Sequence, residues 1–148
     1  MFVADVRSYG SKIPYFCGVY NIKDIKLLTV VKYPASFICL YKEHFMAVSI
    51  TDTHILIFDP LGFRRATIKY FKTFLIQNIG TKKFLLSTKI QGGTSTLCGE
   101  FCLVFLSLIS KGYTFTDFLA LFTCKYRVNN KLVSKLFSSL FPALPKKK

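Results

Sequence analysis

Residues 91–106 read QGGTSTLCGEFCLVFL, a polar segment with two glycines that leads directly into an apolar one. After Cys98 the apolar residues recur at helical spacing on one face and nearly cover the opposite face, which predicts a central helix buried on all sides. Thr94, Ser95 and Thr96 are favourable N-cap residues and place Cys98 in the first turn of that helix. Gln91 precedes Cys98 by seven residues. This is how a cysteine nucleophile and an amide oxyanion donor can be arranged.

The size and composition predict one domain with an aromatic-rich core. The chain has 148 residues, of which 51% are hydrophobic, and we expect a single domain over residues 1–148 with a basic tail at 143–148. Mean hydropathy is +0.39, but the charge-free run from Phe101 to Ser110 is shorter than the roughly 20 residues that a membrane span needs. No basic region followed by an apolar block opens the chain, so no signal peptide is expected. The sequence therefore predicts a soluble protein that is neither secreted nor embedded in a membrane.

The cysteine content favours a reducing compartment. The chain has five cysteines, an odd number, and no CxxC pair. Because His44 and His54 are its only histidines, no metal site is predicted. Cys98 is the candidate nucleophile, and roles in packing are expected for the other four thiols, Cys17, Cys39, Cys102 and Cys124.

The chain is strongly basic, with 21 Lys and Arg against 7 Asp and Glu and a formal net charge of +14. Such an excess attracts polyanions in a salt-dependent, sequence-independent way. No nucleic-acid-binding motif accompanies the charge. Two interpretations stay open from composition alone: DNA as a partner, or a well-solvated lysine-rich surface.

Periodicity and turn residues predict an α+β fold. Strands are predicted over Ala35–Tyr41, Phe45–Thr51, Ile55–Asp59 and Lys83–Ser87. Besides the Cys98 helix, helices are predicted from about Arg64 to Asn78, near Thr116–Cys124 and over Asn130–Phe141, with Gly80 just beyond the first of them. The elements predict a small, mostly antiparallel sheet packed on a central buried helix that carries the candidate nucleophile.

A hairpin brings a histidine and a carboxylate together. If Asp52-Thr53 is a two-residue loop, Met46 lies opposite Asp59, and His44 lies on the same face as a diagonal neighbour of Asp59, about 7–8 Å away between backbones. A carboxylate at that position can bind one imidazole nitrogen and leave the other for a thiol. His54 is the competing base, but it lies in the hairpin turn, where we expect it to be solvated.

Four segments carry a resemblance to a known family. The segments 14–20 (PYFCGVY), 44–47 (HFMA), 58–63 (FDPLGF) and 98–102 (CGEFC) resemble, in the same order, motifs of the adenovirus protease (adenain) family of cysteine endopeptidases. The seven-residue step from Gln91 to Cys98 matches the family as well. Adenoviruses, related DNA viruses and Maverick/Polinton-type transposons carry such proteases. No single motif is specific, but their combination over residues 14 to about 106 is.

The resemblance implies a fold and a set of site residues. The fold is the papain-like cysteine protease fold in the form shared by adenain and the proteases of ubiquitin-like modifiers. Cys98 is implied as nucleophile, His44 as general base and acid, Asp59 as the residue that orients His44, and Gln91 as part of the oxyanion hole. Two differences from the family pattern are Phe45 in place of Trp and Asp59 in place of Glu.

The resemblance also implies partners and a location. Substrates are expected to be viral precursor proteins of the capsid or core, and the location to be the virion and the host-cell nucleus or another reducing intracellular compartment. DNA is implied as an activator, while the chemistry needs no cofactor. A disulfide-linked activating peptide, as in adenovirus, is not expected, because no cysteine lies between Pro60 and Gln91. A monomer is expected.

Two other functions remain as alternatives to a viral-type protease. One is a protease of the same fold that acts on ubiquitin-like modifiers. The other is a catalytically idle, basic DNA-binding or packaging protein, in which Cys98 would have no chemical role.

Overall fold

The computed structural model describes residues 1–30, 32–93 and 96–142. The predicted basic tail at 143–148 lies outside these residues. The helices of the described part are α1 (Val3–Gly10), a 3-10 helix (Ile22–Leu27), α2 (Arg65–Asn78), α3 (Cys98–Ser110), α4 (Phe115–Leu119) and α5 (Tyr126–Leu140). Its strands are β1 (Phe16–Asn21), β2 (Ala35–Tyr41), β3 (His44–Ile50), β4 (His54–Phe58) and β5 (Lys83–Leu86).

The strands form one sheet in the order β1-β2-β3-β4-β5. Antiparallel pairing joins β2 to β3 and β3 to β4, whereas the outer pairs β1–β2 and β4–β5 are parallel. The prediction of a mostly antiparallel sheet is therefore wrong, because the sheet is evenly mixed. The reason lies in the connections between the strands. The 3-10 helix connects β1 to β2, and α2 connects β4 to β5. Each is a crossover connection, which brings the next strand back in the same direction and so makes the pair parallel.

Alternation along β3 and β4 directs apolar side chains to both faces of the sheet. On one face Phe45, Ala47, Leu56 and Phe58 pack in the cluster that contains α3. The opposite face packs in a second cluster with Phe71 and Phe74 of α2. Of the residues from 98 to 108 in α3, all except Glu100 are buried, which confirms the predicted central helix. Helix α3, which begins at Cys98, is thus packed against one covered face of the sheet.

Helix bounds agree with the sequence where the local signals are strong. Helix α2 ends as predicted, with Gly80 following the C-cap residue at a φ of +51°. Helix α4 begins earlier than predicted because Thr114 and Asp117 form a capping box, and it ends at Leu119. Helix α5 begins four residues earlier than predicted, at Tyr126. Helix α1 and the 3-10 helix were not predicted.

In the part of the chain that the structure describes, no helix is both long enough and apolar enough to cross a bilayer.

Candidate active site

The hairpin of β3 and β4 has the predicted register. Ala47 pairs with Phe58 and Ile50 with Ile55, and the Thr51 N–H donates to the His54 carbonyl at 2.9 Å across the two-residue turn. His44 begins β3 and Asp59 follows the last residue of β4. Both residues therefore lie at the same end of the hairpin, away from its turn.

His44 and Asp59 are joined by a short hydrogen bond. His44 Nε2 lies 2.6 Å from Asp59 Oδ1, with side chains 12% and 1% exposed. Since a carboxylate can only accept, Nε2 carries the proton and Nδ1 is left for another partner. The same Oδ1 accepts the Leu61 N–H at 2.9 Å, which fixes the carboxylate plane. The arrangement sets the ring orientation of His44 and, when the ring is neutral, its tautomer.

Cys98 is the first residue of α3, and its thiol interacts with the His44 side chain. The N–H groups of Phe45 and Gly99 also donate toward this sulfur. Burial acts to raise the pKa of the Cys98 thiol, but the hydrogen bonds and the His44 charge outweigh it and lower that pKa below its usual value. The environment therefore favours the thiolate, the reactive form of cysteine.

The pKa of His44 is shifted in the complementary direction. Burial acts to lower it, but the hydrogen bond to Asp59, the interaction with Cys98 and the charges of both partners raise the pKa of His44 to about 9. At neutral pH His44 is therefore protonated, and the lowered pKa of the Cys98 thiol favours an ion pair of thiolate and imidazolium. Such an ion pair provides a ready nucleophile and a proton donor at the same place.

The predicted N-cap of α3 is wrong. The capping position is Leu97, which makes no side-chain capping hydrogen bond, and Thr94 and Ser95 lie outside the described residues. The first-turn N–H of Gly99 is directed toward the Cys98 sulfur. The positive end of the helix thus acts on the thiolate.

Ser87, just beyond β5, holds the backbone of Asp59. Its hydroxyl accepts the Asp59 N–H at 2.8 Å and donates to the Asp59 carbonyl at 3.0 Å, and the residue is only 6% exposed. Asp59 is thus fixed on the strand side by Ser87 and on the carboxylate side by Leu61. Ser87 was not identified from the sequence, where its only signal was a hydroxyl at the end of a short apolar strand.

Replacing Ser87 by alanine is expected to lower the free energy of unfolding by about 1–3 kcal/mol, because it leaves a buried N–H and a buried carbonyl without this partner. Urea denaturation measures the change. Ser36→Ala is the matched control, because Ser36 is similarly buried but its Oγ has no hydrogen-bond partner among the described residues. Equal changes for the two variants would mean that the hydrogen bonds between Ser87 and the Asp59 backbone contribute nothing to the free energy of unfolding.

Gln91 lies on the loop that approaches α3, and it is 1% exposed. The Pro60 carbonyl accepts both the Ile90 N–H and the Gln91 N–H at 2.9 Å, so the segment after Asp59 supports this loop directly. On its other side the Ile90 carbonyl accepts the Asn129 side-chain amide at 2.9 Å. The structure therefore connects Gln91 to the same turn that carries Asp59.

A cleft opens above Cys98 and His44. Its walls include Lys42, Leu61, Arg64 and Gly93, together with the N-terminal Met1. Arg64 Nε lies 3.9 Å from Asp59 Oδ2, so a cation adjoins the carboxylate on the side away from His44. The Cys98 and His44 side chains therefore border an open cleft.

The remaining candidate residues are apart from this site. His54 begins β4 at the end opposite Asp59, and its Nδ1 lies 2.9 Å from Thr53 Oγ1. Burial raises the pKa of the Cys39 and Cys102 thiols, which makes them poor nucleophiles. Cys17 and Cys124 are exposed rather than packed. No cluster of three or more metal-ligating side chains is present within the described ranges.

Comparisons with known proteins bear on the fold. No protein-family model and no curated protein sequence matches the chain. The structure is similar to the central domain of the uncharacterized Lpg1148 protein from Legionella pneumophila, with a TM-score of 0.56 and 14% identity over 97% of this chain and 98% of that one. It is also similar to an ASFV protease, with a TM-score of 0.53 and 19% identity over 84% of this chain and 54% of that one. The chain thus spans about half of that protease.

At such identities the similarity concerns the fold. The predicted α+β class with a central buried helix is confirmed, apart from the mixed sheet, and the chain shares its fold with that ASFV protease.

Proposed function

We propose that the protein is a cysteine endopeptidase of the adenain type. The observation that carries the proposal is the arrangement in which Asp59 holds His44 Nε2 at 2.6 Å and His44 in turn contacts the Cys98 thiol. A thiol, an imidazole and a buried carboxylate in this order form the relay that acyl transfer through cysteine requires.

Peptide cleavage proceeds in two steps at this site. The Cys98 thiolate attacks the peptide carbonyl carbon, and the carbonyl electron pair moves to oxygen. When the tetrahedral intermediate collapses, the C–N bond breaks, His44 Nδ1 gives its proton to the leaving amine, and an acyl-enzyme remains. His44 then takes a proton from water, which attacks the thioester carbonyl and releases the acid and the thiolate.

We assign the oxyanion hole to the Cys98 backbone N–H and the Gln91 side-chain amide. Cys98 is the first residue of α3, so its N–H has no acceptor within the helix. Gln91 is buried beside the Asp59–Pro60 turn and is anchored through its own backbone. Donors held in this way lower the barrier because they need no reorganisation as charge develops.

The proposed substrates are viral precursor proteins, and DNA is the proposed activator. The motif resemblance supports the first, together with the fold shared with a viral protease. The net charge of +14 supports the second, because a chain of this charge is concentrated on DNA. A protease for ubiquitin-like modifiers has the same fold and the same order of site residues, and the test below separates it from the viral type.

The test is cleavage of a peptide library and of two intact proteins, a capsid precursor and a ubiquitin-like-modifier precursor, with and without duplex DNA. Wild type is expected to cleave library peptides and the capsid precursor faster with DNA, and this stimulation is expected to fall steeply with salt. Cys98→Ala is expected to lose at least about a thousandfold in kcat/KM, because the covalent step is removed. Cys102→Ala, one helical turn further along α3, is the matched control and is expected to retain activity.

Each alternative gives a different result in this experiment. Cleavage of the modifier precursor alone identifies the other protease class. DNA binding with no cleavage of any substrate, unaffected by Cys98→Ala, identifies an idle basic protein and overturns the proposal.

A further inference from the structure

Asn129, in the first half of α5, has a buried side-chain amide that forms hydrogen bonds with two loops. The residue is 0% exposed. Its Nδ2 donates to the Ile90 carbonyl at 2.9 Å and to the Thr123 carbonyl at 2.7 Å, while its Oδ1 accepts the Thr123 N–H at 2.8 Å. A buried amide with both donors and its acceptor engaged has one orientation available.

Asn129 acts on the peptide group that carries Gln91. The Ile90 carbonyl and the Gln91 N–H belong to one planar peptide unit. Asn129 holds this unit by its oxygen, and the Pro60 carbonyl holds it by its N–H at 2.9 Å. With both ends fixed, the plane cannot rotate, and the direction in which the Gln91 side chain leaves the backbone is set.

The same helix also supports the next residue of this loop. A Cβ added to Gly92 would lie 3.4 Å from the Cβ of Tyr126, the first residue of α5. The beginning of α5 therefore packs against the loop directly as well as through the Asn129 hydrogen bond.

We propose that Asn129 is a positioning residue for the oxyanion hole. This proposal rests on the proposed function, because it assumes that the Gln91 amide donates to the oxyanion. Oxyanion donors act over a range of about 2.7–3.1 Å, so a small rotation of the Ile90–Gln91 peptide would weaken transition-state stabilisation while leaving ground-state binding almost unchanged.

The test replaces Asn129 by aspartate and by serine. Asn129→Asp keeps the shape and the acceptor for Thr123 but loses both donors, whereas Asn129→Ser is smaller and retains a hydroxyl. For Asn129→Asp we expect kcat to fall about 10- to 100-fold with KM changed less than about twofold, and for Asn129→Ser a smaller loss. In a protein that already carries Gln91→Ala, Asn129→Asp is expected to change kcat less than about twofold, because the Gln91 amide that Asn129 positions is gone.

Two inhibitors separate positioning from loss of the nucleophile. The Cys98 thiolate attacks the carbonyl carbon of a peptide aldehyde, and the aldehyde oxygen takes a proton from His44 Nδ1 to give a hemithioacetal whose oxygen occupies the oxyanion hole. Its affinity is expected to fall in proportion to kcat in Asn129→Asp. Alkylation of Cys98 by iodoacetamide forms no oxyanion, and its rate is expected to stay unchanged.

Asn78 offers a matched control far from the site. Its Nδ2 donates to the Leu28 and Phe74 carbonyls, both at 2.9 Å, and its Oδ1 accepts the Val30 N–H at 2.9 Å, so the hydrogen-bond pattern is the same. Asn78→Asp is expected to lose stability similarly and to keep kcat, when both proteins are assayed well below their unfolding temperatures.

The outcomes are separable. If wild type cleaves and Asn129→Asp has the same kcat as Asn78→Asp, the positioning role is wrong and the proposed function stands. If both Asn129 variants are unfolded while Asn78→Asp folds, Asn129 is a stability residue and the proposal is equally overturned. If wild type cleaves nothing, the proposed function itself fails.

Discussion

Replacing His44 by alanine is expected to lower kcat/KM at pH 7 by about a hundredfold to ten-thousandfold, the contribution typical of a general acid–base group. The variant loses the proton donor for the leaving amine and the cation that stabilises the Cys98 thiolate. The decline is measured with the best library peptide, and circular dichroism checks that the variant is folded. His54→Ala is the control, because the only other histidine of the sequence lies at the far end of β4.

Thiol labelling tests the same ion pair without any substrate. In folded wild type we expect iodoacetamide at pH 6.5 to alkylate Cys98 faster than the other four thiols. The pKa of the Cys98 thiol is lowered, whereas burial raises the pKa of the Cys39 and Cys102 thiols. In His44→Ala the Cys98 rate is expected to fall to or below that of the exposed Cys17 and Cys124. Equal labelling of all five thiols in wild type would contradict the thiolate–imidazolium pair.

Replacing Asp59 by asparagine is expected to shift the alkaline limit of activity toward neutral pH. His44 is protonated below its pKa of about 9, so wild type keeps its proton donor through neutral pH and loses activity as the pH rises through about 9. Asparagine retains an oxygen that accepts from His44 Nε2 and from the Leu61 N–H but lacks the negative charge. The pKa of His44 therefore falls, and we expect the limit to move down by about one pH unit or more.

The measurement is kcat/KM from pH 5 to 10. At pH 8.5 we expect Asp59→Asn to lose about threefold or more relative to wild type, with a smaller loss at pH 6.5. Asp52→Asn, in the exposed turn at the opposite end of the hairpin, is the control for removal of one negative charge. An alkaline limit that is the same in wild type and Asp59→Asn would show that Asp59 does not set the pKa of His44.

Much of the site follows from short-range patterns. The two-residue turn and the alternation of β3 and β4 were enough to predict the register that places His44 and Asp59 at one end of the hairpin. The helical spacing of apolar residues after Cys98 was enough to predict the buried helix. These features are local, because each depends on neighbours within a few turns or one hairpin.

Residues that support the site could not be predicted in this way. Ser87 contacts Asp59 across 28 positions, and Asn129 contacts Ile90 across 39. In the sequence each is one polar residue among many, and its role depends on which carbonyl or N–H the folded chain brings within 3 Å. Periodicity carries no information on such pairs.

The sequence alone therefore determined the elements that carry the reactive groups, since hydrophobic periodicity and turn chemistry act locally. Tertiary structure decided three things: the parallel edges of the sheet, the contact of Cys98 at the start of α3 with His44, and the hydrogen bonds that hold Asp59 and Gln91 in place. These depend on the direction in which crossovers return the chain and on the strong tendency of buried polar groups to be hydrogen-bonded. Both conditions are met only when distant segments pack together.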